Sequence, residues 1–120
     1  MDRIEQTYSV LTVSAADKFS ASLHTLLPEG QYDPVRAVRD AASARRLLLE
    51  QSFDIVIVNA PLPDEFGTQL ALELSETSGA GVLLLVKAEQ YPELSARLTP
   101  NGILTLQKPT TPLPSLERRS

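Results

Sequence analysis

Two short, unbroken apolar runs constrain this chain more than any other feature. They are Ile55-Val56-Ile57-Val58 and Val82-Leu83-Leu84-Leu85-Val86. Each is short, and the first is made wholly of β-branched residues. Neither offers a polar face to water, so both must be covered on two sides, as in the interior of a parallel sheet. Helical patterns separate these and three further strand candidates. Tyr8 to Val13 reads as a strand, followed by a helix that Asp17 can cap, with Phe19, Leu23, Leu26 and Leu27 on one stripe, ending at Pro28-Glu29-Gly30. Pro34 to Val38 is a weaker strand, and Asp40 can cap a helix over Ala41 to Gln51. The third strand spans Asp54 to Val58 and the fourth Val82 to Val86, with a helix over Thr68 to Glu76 between them. A helix over Ala88 to Leu98, with Pro92 in its first turn, and a strand over Gly102 to Gln107 complete the series.

The order β-α-β-α-β-α-β-α-β predicts an α/β fold, a doubly wound five-stranded parallel sheet with helices on both faces and strand order 2-1-3-4-5. The length of 120 residues suits a single domain, with a core over 8–109 and an irregular tail over 110–120. The core must be aliphatic, since tryptophan is absent and aromatics are few. Without cysteine there is no disulfide, thiol catalysis or Cys-ligated metal. A net charge of -4 argues against nucleic-acid binding by the domain itself. No apolar run approaches a membrane span and no secretory signal is visible, which places the chain in the cytoplasm as an expectation.

In sheets of this kind, ligands meet the carboxyl ends of the strands. The positions that matter are therefore Ser14 to Asp17, Asn59 to Pro61, Val86 to Ala88, and Lys108-Pro109. Three pieces there carry a family resemblance: Asp54-Ile55-Val56-Ile57-Val58-Asn59, then Leu62-Pro63-Asp64-Glu65-Phe66-Gly67, then Lys108-Pro109. From Tyr8 to Pro109 the chain resembles the receiver domain of bacterial two-component response regulators, a flavodoxin-like fold. The middle piece is similar to that family's Leu-Pro-x-x-x-Gly turn. The resemblance implies a signalling domain rather than an enzyme, with a fifth helix that is missing or truncated here. The segment Leu113 to Ser120 either replaces that helix poorly or marks a chain cut before an output domain.

The same resemblance implies four chemical requirements: a phosphoacceptor Asp after the third strand, an acidic pair after the first that holds Mg²⁺, a Thr or Ser after the fourth, and a Lys after the fifth. Asn59 stands at the phosphoacceptor position and cannot form an acyl phosphate. Ser14 and Ala15 stand at the acidic pair. Val86 stands at the hydroxyl position and Thr105 at the family's aromatic switch. Only Lys108, with Pro109, matches. The implied site thus has no catalytic residue, metal or cofactor, and the expected activity is independent of phosphorylation. Asn59 is expected to hydrogen-bond Lys108. The phrase around Asn59, with Val86-Lys87 after strand four, looks most like receivers joined to RNA-binding ANTAR antitermination modules. RNA would then be reached only through an output domain absent from this sequence. Protein partners or a second copy would dock on the fourth-helix and fifth-strand face, with Leu94, Leu98 and Leu104.

Plainer readings stand beside these. Asn59 is also an ordinary turn-former. Asp64 is more often an N-cap of the following helix than a surrogate phosphoacceptor, and Asp17 more often a cap than a metal ligand. Asp54 belongs at a strand entrance. His24 lies mid-helix, where a partly solvated position is a plainer reading than a triad or zinc site at the sheet's carboxyl edge. The cluster Arg36, Arg39, Arg45 and Arg46 reads as a salt-bridged face rather than a nucleic-acid patch. A receiver using Asp64 or Asp17 off-position is the first competing function. A small nucleotide-binding protein or enzyme is the second, although no Gly-x-Gly-x-x-Gly or Walker pattern occurs.

Overall fold

The computed structural model of the chain describes residues 7–19 and 32–108. Strands β1 (Tyr8–Val13), β2 (Tyr32–Val38), β3 (Ile55–Asn59), β4 (Gly81–Val86) and β5 (Ile103–Gln107) form one sheet in the order β2-β1-β3-β4-β5, with every pairing parallel. This is the expected fold and strand order. Helices α1 (Ala41–Glu50), α2 (Thr68–Thr77) and α3 (Tyr91–Leu98) fill the connections. The expected first helix is described only at residues 17–19, where the chain is helical, so most of it, His24 included, lies outside the described residues. Pro109 and the tail with any fifth helix lie outside them too. Among the described residues no helix is long and apolar enough to cross a membrane.

The local chemistry explains the elements. The β-branched run of β3 buries Val56, Ile57 and Val58, because neighbouring strands flank it on both edges and side chains cover both faces. Asp40 caps α1, its carboxylate accepting from Ser43 N–H at 2.8 Å. Pro92 delays the last α-helix. Residues Ala88–Gln90 form a 3₁₀ turn, and α3 begins at Tyr91 with Pro92 in its first turn, where its missing N–H costs nothing. Leu11, Val13, Val56, Val58, Val82, Leu84, Val86 and Ile103 meet Ala44, Leu70, Leu74, Leu94 and Leu98 from the helices in one core. Phe53 is the aromatic fully inside it, so the core is aliphatic, as composition required.

This packing corrects the expected docking face. Leu94 and Leu98 are buried, 7% and 1% exposed, because they form the stripe of α3 that lies on the sheet. They cannot meet a partner. Leu104 is 55% exposed and Leu106 38%. The two alternate along β5 with buried Ile103 and Thr105, so they project from the other face of the sheet.

Candidate functional site at the carboxyl edge of the sheet

Register brings the site together. Val13 on β1 pairs with Val58 on β3, so the next residues, Ser14 and Asn59, also stand side by side. Asn59 Nδ2 donates to Ser14 Oγ at 2.9 Å, and both side chains are buried. Ser14 Oγ also accepts from Ala16 N–H at 3.0 Å, which turns the chain after β1. On the other side, Val86 pairs with Gln107, and the Lys108 N–H donates to the Val86 carbonyl at 2.8 Å. The edge therefore runs from Ser14 and Ala15 through Asn59 and Val86 to Lys108, as the strand ends predict.

The expected bond between Asn59 and Lys108 is not formed. Asn59 donates to Ser14, and Lys108 Nζ donates to the carbonyl of Ala60. Pairing register sets Ser14 beside Asn59, whereas Lys108 must reach over β4 and meets the backbone first. Asn59 Oδ1 is left buried with no hydrogen-bond partner among the described residues, and so is Thr105 Oγ1. Thr105 sits opposite Leu84, inside the sheet and two residues short of the strand end. Val86 is fully buried and offers the edge only methyl groups.

The electrostatics are one-sided. Burial, with the Lys87 charge as the smaller cause, lowers the Lys108 ammonium below its ordinary pKa of 10.5. The nearest acids in the sequence are held elsewhere. Asp17 pairs with Arg39, which also donates to the Ala15 carbonyl at 3.0 Å. Asp64 does not cap the following helix, whose N-cap is Gly67. Its two oxygens accept from Ala41 N–H at 3.0 Å and Ala42 N–H at 2.9 Å, which ties the loop after β3 to the N-terminus of α1. These two backbone N–H groups hold the Asp64 carboxyl below the usual 3.8. Among the described residues no three His, Cys, Asp or Glu side chains come together in a way that could hold a metal ion.

The remaining sequence candidates fall as expected or outside the edge. Asp54 lies at the entrance of β3, accepting from Ser9 N–H at 2.9 Å. Arg45 bridges Glu65 and Glu73, both at 2.8 Å, and these bonds raise its already high pKa while lowering that of Glu73. The arginine cluster is thus partly a salt-bridged face. Sequence reasoning missed the Asp64 tie. Its signal is topological: loops that leave the carboxyl ends of the strands of one parallel sheet converge on one edge, so an acid in the loop after β3 can reach the free N–H groups of the helix that follows β2, across the intervening β1.

No family model and no curated protein matches the chain. Solved structures do. The signal receiver domain of an HD domain-containing protein from Pseudomonas fluorescens is 24% identical, with a TM-score of 0.71 over 88% of this chain and 79% of that one. The chemotaxis response regulator CheY4 of Vibrio cholerae is 22% identical, with a TM-score of 0.73 over 89% of this chain and 91% of that one. The response regulator TrrA from Thermotoga maritima, solved in complex with magnesium and beryllofluoride, is 19% identical, with a TM-score of 0.71 over 88% of this chain and 90% of that one. The chain therefore has the fold of response-regulator receiver domains.

Proposed function

We propose that the chain is a receiver-type signalling domain that works without phosphorylation and passes its signal through protein contact. One observation carries this reading: the carboxyl edge is built from Ser14, Ala15, Asn59 and Val86, with the Lys108 ammonium drawn onto the Ala60 carbonyl. Among the described residues, no carboxylate at the end of β3 faces that cation, and none after β1 joins it to trap magnesium. The engagement of Asp64 with α1 and of Asp17 with Arg39 speaks against an off-position phosphoacceptor. Protein contact falls most naturally on Leu104 and Leu106 of β5. In keeping with the resemblance to receivers joined to ANTAR modules, the proposed output is transcription antitermination in the cytoplasm, through an RNA-binding module joined to this domain.

Intact-mass spectrometry after incubation with Mg²⁺ and acetyl phosphate tests the proposal. The expected result is an unchanged mass, with no thermal stabilisation by magnesium and beryllofluoride. A phosphoryl adduct on any aspartate overturns it.

A further inference from the structure

Helix α1 presents a stripe of exposed residues, Ala42, Arg46, Leu49 and Glu50, at helical spacing. Leu49 is 87% exposed. A lone exposed leucine is ordinary on a protein surface. This one stands on the rim of a cavity of about 520 Å³ between α1 and α2, whose apolar wall includes Leu48 and Leu74 and whose polar rim includes Arg45, Thr77 and Ser78. It is a projecting apolar group beside an apolar recess. A two-fold axis is the operation that seats such a group from each copy in the recess of the other.

The charges on the same stripe are self-complementary under that operation. Arg46 and Glu50 flank Leu49, and neither makes an ion pair among the described residues. Arg preceding Glu by four positions is the poorer order for pairing within a helix. Two α1 helices crossing antiparallel, with the axis midway between positions 46 and 50, place each Arg46 opposite the other copy's Glu50. We infer that α1 is the contact of a symmetric homodimer, in which Leu49 enters the α1–α2 cavity of the partner subunit and Arg46 pairs with Glu50 of the partner subunit. A helix about 15 Å long and one recess bury less than a standard interface of about 800 Å² per partner, so the association is weak and reversible. The inference is independent of the proposed function, and its failure leaves that reading intact, because the contact does not involve the sheet edge.

Sedimentation equilibrium of the chain, from micromolar to millimolar concentration, tests it. The mass is expected to rise from one chain toward two. Leu49→Glu is expected to remain a single chain throughout. Arg46→Glu and Glu50→Arg are each expected to weaken self-association by about tenfold or more. Mixed one to one, these two variants should dimerise at least as well as the wild type, since one copy then carries two acids and the other two bases along the contact. Circular dichroism melts confirm that each variant is folded. A wild type that sediments as one chain over the whole range overturns the inference. So does a dimer that persists in Leu49→Glu, or a mixture that associates no better than its components.

Discussion

Substitution of Gly67 by alanine isolates what the turn before α2 requires. Gly67 has φ +126°, and a Cβ built there would lie 3.0 Å from Val58 Cγ1, 3.7 Å from Leu84 Cδ1 and 3.8 Å from Ala60 Cβ. Val58 and Leu84 are fully buried and have nowhere to retreat. Holding a non-glycine residue in this backbone region costs on the order of 1–3 kcal/mol. Overpacking a tight site costs about the same again. The expected loss is therefore about 4 kcal/mol, the sum of two mid-range values. Gly102 supplies the control: its φ is +83°, and nothing lies within 4 Å of its added Cβ. Gly102→Ala should cost only the left-handed backbone penalty, about 1–2 kcal/mol. Urea unfolding with linear extrapolation measures both, and near the midpoint 1 kcal/mol corresponds to about 4 °C for a chain of this size. If Gly67→Ala unfolds within about 1 kcal/mol of Gly102→Ala, the close packing against Val58 is not felt and the reasoning fails.

Further expectations concern the carboxyl edge. Ser14→Ala should cost about 1–3 kcal/mol, since it strands the buried Asn59 Nδ2 and takes an acceptor from Ala16 N–H; Asn59→Ala should cost less, because it also removes the unpartnered Oδ1. Equal losses, or strict additivity in the double mutant, would count against the Ser14–Asn59 bond. The Asp64 carboxyl is held below 3.8 in the folded state, so its contribution is complete above that pH and is lost as pH falls from there through the native value. The stability gap between wild type and Asp64→Asn should close over that window, and an NMR titration of Asp64 at or above 3.8 contradicts this. Lys108 titrates below 10.5 in the folded state, so between its native value and 10.5 the unfolded chain binds more protons and stability rises with pH. Lys108→Met should flatten that slope in denaturant unfolding; an unchanged slope assigns it to another group.

The sheet was legible because runs such as Ile55–Val58 and Val82–Val86 are short, lack a polar face and alternate with helical patterns, which together suit strands buried on both faces. The strand ends then located Ser14, Asn59, Val86 and Lys108 on one edge. Their partners were not legible. Which atom Asn59 meets depends on the pairing of Val13 with Val58, and which atom Lys108 meets depends on the reach of a side chain over an intervening strand. Asp64 was misassigned because the nearest helix in sequence is not the one whose open N–H groups lie closest in space. Leu94 and Leu98 were assigned to the surface, although an apolar stripe at helical spacing belongs against the core; only the alternation along β5 distinguishes Leu104 as outward-facing.

Lys108 starts at the end of β5 and finishes on a carbonyl just past β3, two strands away. At about 4.8 Å per strand, its methylene stem lies like a lintel above the end of β4. A molecule approaching Val86 from above would have to lift that beam and break its hold on Ala60. The end of β4 is thus spanned by a side chain that the end of β5 supplies.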